Sequence, residues 1–370
     1  MTDLFSPLDI KDVRLKNRIA MSPMCQYSAT DGLMDAWHMV NLGSRAVGGA
    51  GLVVAEAAAV SPEARITLED LGLWNDAQVE ACRPVVEFIK RQGAVPGVQL
   101  AHSGRMGGML SPWNGNDYLP EDDPYGWQPI APSGTAIGGP YARLPRAMTL
   151  ADIDTVKQDF AASARRAADA GFEWLELHFG HSYLLQNFFS PLANRRTDRY
   201  GGSFENRARL LLETFDGVRA AWPERLPLMI RLGVTDFVAG EQPMEEVIEL
   251  VRQFKSRGLD IIDVTLGFNS AQASAVPWAQ EAFMTPTAER IRREVGILTA
   301  TSWNIREPEL ADALVRDGKV DLIMLGRALL ADPYWPYHAA QALRRPQPQA
   351  TLPIQYAVWL HGRETIGVTE

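Results

Sequence analysis

The feature that most constrains this chain is an alternation: short apolar or β-branched runs, each followed by a longer amphipathic segment, from one end to the other. A parallel sheet covered by helices reads this way, because its strands are buried on both faces while its crossover helices are two-faced. Eight runs are present, at residues 18–21, 52–55, 95–100, 173–178, 228–232, 261–265, 297–301 and 322–325. Eight parallel strands with a helix after each close into a barrel, so the sequence predicts an α/β fold, a (β/α)8 TIM barrel. Gly51, Gly93, Gly171, Gly258 and Gly318 each stand just ahead of a run, where a left-handed residue can end the preceding helix. Helix starts are expected at Thr149 or Asp152 and at Ser203.

Two segments interrupt the repeat, and both follow a strand: 101–148, rich in Gly, Pro, Trp and Asp, and 182–202. Barrel enzymes assemble their sites from the loops after strands, so long loops after strands 3 and 4 predict a shaped pocket at that end. Surface decoration is the plainer alternative for such loops. Residues 333–370 form a C-terminal tail with Trp335, Tyr356 and Trp359, too aromatic for a free linker. The expectation is one barrel domain over 1–370, with 333–370 as an extension at a subunit interface.

Composition narrows the function. With 46% hydrophobic and 22% charged residues, the chain has ample material for a core. Its net charge of −9 and the lack of any Lys/Arg run argue against a nucleic-acid partner. Cys25 and Cys82 fit neither a disulfide framework nor a CxxC pattern, which suits a reducing compartment. The N-terminal residues carry no basic segment followed by an apolar one, and no apolar stretch approaches membrane-spanning length. A cytoplasmic protein without a membrane partner is expected.

The densest chemistry lies in Glu176-Leu177-His178-Phe179-Gly180-His181-Ser182-Tyr183, at the end of the fourth run, on the catalytic face of a barrel. Neutral imidazoles can donate hydrogen bonds to one carbonyl oxygen, and a phenol keeps its proton at neutral pH and can deliver it. The alternatives are histidines packed in the core, or a His-x-x-His metal site in a TIM-barrel hydrolase with His178 and His181 as ligands; no third ligand at a familiar spacing supports the metal. Gln99 and Arg231 sit inside runs that should be apolar. A buried guanidinium needs an anionic or strongly accepting partner, either a ligand or a core carboxylate such as Glu56 or Glu176. Gly326-Arg327 after the eighth run, with Thr301-Ser302-Trp303 after the seventh, occupies the place where barrels hold phosphate, although a simple turn explains Gly-Arg equally well. The first run ends in Ser22-Pro23-Met24-Cys25-Gln26-Tyr27.

Together these segments, with Asn17-Arg18-Ile19, Ser190-Pro191, Asn194-Arg195-Arg196-Thr197-Asp198 and Tyr200-Gly201-Gly202-Ser203-Phe204-Glu205-Asn206-Arg207, resemble the Old Yellow Enzyme family of FMN-dependent ene-reductases over nearly the full length. Cys25 and His181 make the resemblance strongest to its thermophilic-like branch and the xenobiotic-reductase subset. The resemblance implies non-covalent FMN, with Ser22, Pro23, Met24, Cys25, Ala57, Gln99, Arg231 and Trp303 around the ring and Gly326 and Arg327 at the phosphate. It implies NADPH or NADH as hydride donor and an activated alkene, or a nitro compound or other xenobiotic, as acceptor. His178 and His181 would bind the carbonyl oxygen, Tyr183 would protonate the α-carbon, and Tyr27, Trp303 and Trp359 would wall the substrate pocket. A homodimer or homotetramer exchanging C-terminal tails is also implied. One departure is visible: relatives with an arginine in the tail have no counterpart in Gln355-Tyr356-Ala357-Val358-Trp359-Leu360-His361, where Trp359 is the closer match to a tryptophan finger.

Overall fold

The computed structural model describes residues 2–115, 117–120, 122–271 and 275–366. Its centre is a closed barrel of eight parallel strands: β1 (Ile19–Met21), β2 (Leu52–Ala59), β3 (Val95–Ala101), β4 (Trp174–Phe179), β5 (Leu228–Thr235), β6 (Ile261–Leu266), β7 (Leu298–Thr301) and β8 (Leu322–Leu325). Neighbours in sequence pair in order, and β8 returns to β1. Every predicted run lies on a strand. β2, β3, β4 and β6 are buried along their whole length, which is why they read as apolar. The ends differ where a polar residue looked like a stop. β2 continues past Glu56 because Glu56 is the extra residue of a bulge: Ala55 pairs with Val98 and Ala57 with Gln99.

The crossover helices are α1 (Ala36–Val47), α2 (Asp76–Arg91), α3 (Leu150–Ala170), α4 (Phe204–Ala221), α5 (Met244–Ser256), α6 (Thr285–Val295) and α7 (Pro308–Arg316). Both residues proposed for the start of α3 take part in it. Thr149 accepts from the Asp152 backbone N–H, and the Asp152 carboxylate accepts from Thr149 in return. Ser203 does precede α4, but without a side-chain cap bond. Gly93, Gly171, Gly258 and Gly318 have the left-handed φ expected of them. Gly51 does not. A Cβ there would lie 2.6 Å from the Asn17 carbonyl oxygen, so its reason is close approach rather than conformation.

The N-terminal end of the barrel is closed by an antiparallel hairpin, Leu8–Ile10 with Val13–Leu15, whose three-residue strands are too short to show a period in sequence. It is fastened by Asp12 N–H to the Arg225 carbonyl at 3.1 Å and by a Lys11–Asp260 ion pair at 3.2 Å, both just ahead of barrel strands.

At the other end lie the two long loops. Segment 101–148 contains a small parallel pair, Ile130–Ala131 with Arg146–Ala147, and the Arg65 guanidinium holds it down between the Trp74 and Trp127 rings. Buried Arg105 donates to Ser182 Oγ at 3.1 and 3.0 Å and to the Asn269 carbonyl at 2.9 Å, tying together the loops after β3, β4 and β6. Segment 182–202 contains the helix Leu184–Phe189. After β8 come the short helix Arg327–Ala331, then α8 (Trp335–Ala342), and then α9 (Ile354–Ile366), which leaves Ile354, Val358 and Trp359 in solvent. Among the described residues no helix is long and apolar enough to cross a membrane.

Candidate active site

The C-terminal ends of the strands surround a cavity of about 700 Å³. Of the residues predicted for the site, Ser22, Pro23, Met24, His181, Arg231, Trp303, Gly326 and Arg327 line it. The backbone around this rim is unusual. Tyr27, His181, Ser182, Phe268, Trp303 and Asn304, none of them glycine, all have positive φ. Such conformations persist only where the surroundings impose them, and they gather at functional sites. A second cavity, of about 740 Å³, lies toward the opposite end of the barrel beside Lys16, Asn17 and Gln92 and holds none of the predicted groups.

Arg231 rises from β5 inside the barrel. Its Nε lies 3.1 Å from Asp263 Oδ2 on the neighbouring β6 strand. The partner is therefore neither carboxylate proposed from the sequence: Glu176 accepts from Gln99 Nε2, and Glu56 accepts from the Gln26 backbone N–H. Burial pushes the Glu176 and Asp263 carboxyls up, while the Arg231 charge pulls them back. The outer guanidinium nitrogens point to the rim, Nη1 to Ser22 Oγ at 3.1 Å and Nη2 to Ser302 Oγ at 3.3 Å. Neutral hydroxyls on that side leave the positive edge uncompensated toward the cavity. Gln99 and Ala57 lie opposite each other in the β2–β3 ladder, with Gln99 opposite Glu176 across β3–β4.

His178, the last residue but one of β4, lies opposite Arg231, and the chain then turns through Gly180 so that His181 and Tyr183 come back over it. The His178 ring centroid is 4.7 Å from both His181 and Tyr183, edge to face in each case. Burial holds both imidazoles well below their usual pKa; the Arg231 charge adds to this at each ring, and His178 adds to it at His181. Both are neutral at physiological pH. Burial, reinforced by Cys25 and Tyr27, holds the Tyr183 phenol well above its usual pKa, so it keeps its proton. Cys25 is likewise pushed up, by burial and then by Asp70 and Glu56, and the Tyr27 phenol hydrogen-bonds its sulfur. Tyr27, Cys25 and Tyr183 thus form one electrostatic cluster beside the histidines. Trp359, by contrast, is 81% exposed on α9 and is not among the residues that line this cavity.

Several neighbours escaped the sequence reading. Asp263 is a carboxylate in an apolar strand and could have been found by the rule that found Arg231. Arg306 lines the cavity near Gly326 and Arg327, and neither Arg306 nor Arg327 makes an ion pair among the described residues. Trp278 joins Trp303 on the wall, their rings 5.7 Å apart, and Trp113 from the long loop after β3 meets Tyr27 edge-on at 6.0 Å. Loop residues such as these carry no periodic signal.

A cavity lined by Arg231, Arg306 and Arg327 together with the neutral His181 suits an anionic cofactor. Known proteins agree. Residues 3–345 match the model of the NADH:flavin oxidoreductase / NADH oxidase family, and the chain belongs to that family. It is similar to an NADPH dehydrogenase of Geobacillus sp. (strain WCH70), 40% identical over 344 residues that cover 92% of this chain and 95% of the relative. Its fold is similar to morphinone reductase in complex with tetrahydroNAD (TM-score 0.78, 28% identity, 92% and 91% coverage). It is also similar to the old yellow enzyme homologue from Zymomonas mobilis (TM-score 0.76, 26% identity, 93% of each chain). The protein is an NAD(P)H-dependent flavin oxidoreductase that uses FMN, an ene-reductase of the Old Yellow Enzyme group. The metal-hydrolase alternative is not supported, and among the described residues no three His, Cys, Asp or Glu side chains gather as ligands.

Proposed function

We propose that FMN occupies the cavity along its length, with Arg231, Gln99, Ala57 and the Ser22, Pro23, Met24 and Cys25 segment around its ring, Trp303 beside it, and Gly326 and Arg327 at its phosphate. The observation that carries this reading is the Arg231 guanidinium, anchored behind by Asp263 and presenting its outer edge between two neutral hydroxyls. That edge suits an acceptor-rich pyrimidine, and the unpaired Arg306 and Arg327 suit a phosphate. When bound, FMN supplies the hydride that NADPH or NADH has delivered to it, and the acceptor is the β-carbon of an α,β-unsaturated carbonyl or similar activated alkene.

The chain's own groups do the rest. His178 and His181 hold the carbonyl oxygen, so negative charge growing there meets donors already in place within a low-dielectric site. Tyr183 delivers a proton to the α-carbon. Tyr27 and Trp303 shape the space above the ring, and Trp359 completes it from a neighbouring subunit of a homodimer or homotetramer. The exposure of the α9 apolar face supports that exchange. The whole chain then acts as one FMN-binding barrel domain in the cytoplasm, with 333–370 at the interface.

Anaerobic stopped-flow separates the two halves of the reaction. NADPH should bleach the flavin of the wild-type protein, and 2-cyclohexenone should restore its colour. In Tyr183→Phe the bleaching should stay within about twofold, while reoxidation slows by roughly 10²-fold or more. Equal reoxidation rates would place the proton donor elsewhere, and a flavin that NADPH cannot bleach would end the reading altogether.

A further inference from the structure

Thr265, near the end of β6, is fully buried, and its hydroxyl stands between two residues of the site. His181 Nε2 is 2.7 Å from Thr265 Oγ1, and Trp303 Nε1 is 2.9 Å from the same oxygen. The hydroxyl makes no other hydrogen bond among the described residues. Proton inventory then decides the direction of each bond. Indole N–H can only donate, so Trp303 takes one Oγ1 lone pair. The Thr265 O–H must find an acceptor, and the His181 nitrogen is the group within reach. If His181 donated as well, the hydroxyl hydrogen would be buried with no acceptor, the more costly arrangement.

We propose that Thr265 is a positioning residue that fixes His181 as its Nδ1–H tautomer, so the imidazole presents a donor rather than a lone pair to the substrate oxygen. The chain of bonds runs from Trp303 Nε1–H to Thr265 Oγ, and from Thr265 O–H to His181 Nε2. The tautomer of a histidine is set by the bond its other nitrogen makes, and here that nitrogen is committed. His181 lines the cavity, and Nδ1 is the nitrogen left to serve it. A neutral ring in the opposite tautomer would turn a lone pair on a carbonyl oxygen and repel it. Burial and the Arg231 charge keep the ring neutral, so protonating both nitrogens is no escape. Trp303 acquires a second task in this arrangement: its N–H keeps the threonine hydroxyl turned toward His181.

This inference rests on His181 being a carbonyl donor, and the test keeps the two ideas apart. The FMN-loaded protein, labelled with 15N-histidine, gives tautomer-specific long-range 1H–15N spectra for its six histidines, with His181 assigned by its loss in His181→Gln. Wild type and Thr265→Ser should show His181 as Nδ1–H, and Thr265→Val should show the Nε2–H form or a mixture. The charge-transfer band with 4-hydroxybenzaldehyde, titrated in parallel, should weaken about five- to tenfold in Thr265→Val and recover in Thr265→Ser. A wild-type Nε2–H signal, or a valine variant unchanged in both spectrum and affinity, overturns the role of Thr265. Unchanged phenol affinity in His181→Ala, which offers no donor, instead overturns the donor role itself, whatever the tautomer.

Discussion

A charge inside an apolar strand demands a partner, and Arg231 has two kinds: the Asp263 carboxylate behind it and the Ser22 and Ser302 hydroxyls in front, where we propose the flavin ring sits. Replacing it with methionine removes the edge held between Ser22 and Ser302 and leaves Asp263 buried without its ion pair. Arg231→Met should therefore purify pale, with FMN content well below wild type and reconstitution requiring excess FMN. A variant that folds with the wild-type circular dichroism and carries full FMN would refute the assignment. Residues of this kind were legible, because a polar side chain in a parallel strand violates the local pattern and so announces a site. The same rule pointed to Gln99 and would have reached Asp263, whereas His178, His181 and Tyr183 were legible through their clustering at the end of the fourth run. A core carboxylate was expected as the alternative partner, with Glu56 and Glu176 as examples; Asp263 fills that part because the β5–β6 register, which neither strand writes alone, sets it beside Arg231. Thr265 had no chance of being read, because threonine is ordinary in strands. Its meaning depends on His181 and Trp303 arriving from two other loops.

At the scale of elements, the glycine that recurs before five of the eight strands was read as one signal, and the structure divides it into two. Gly93 has φ +69° and open space where a Cβ would be, whereas Gly51 would bring a Cβ to 2.6 Å from the Asn17 carbonyl. Around Gly51, the Asn17 side chain donates to the Gly49 carbonyl at 2.8 Å and accepts from Ile19 N–H at 3.1 Å, binding the entries of β1 and β2 together. Gly51→Ala must displace that knot and should cost about 1–3 kcal/mol; Gly93→Ala carries only the left-handed penalty, about 1 kcal/mol. Differential scanning calorimetry should rank Gly51→Ala as the less stable, and the reverse order would show that the knot yields freely. The existence of the eight barrel strands was legible, and their ends were not. The Glu56 bulge prolongs β2 past a residue that looks like a terminator, and the N-terminal hairpin is too short for periodicity to register.

For the molecule as a whole, the barrel and the tail were both anticipated, but the destination of the tail depends on a surface that one chain does not contain. α9 presents Ile354, Val358 and an indole that is 81% exposed, so this apolar face is uncovered among the described residues. If the proposed tail exchange holds, deleting residues 354–370 should lower the sedimentation coefficient and shift the affinity for 2-cyclohexenone. A full-length protein that sediments as a monomer would defeat the exchange. The two ends of the barrel differ in another way: one is sealed by the Leu8–Leu15 hairpin, in which Lys11 alone has a positive φ, and the other is ringed by six non-glycine residues held at positive φ. Adaptation therefore has two separate addresses in this protein. Lineages facing heat can alter the hairpin end without changing what is bound, and lineages facing new compounds can rewrite the rim without recasting the frame.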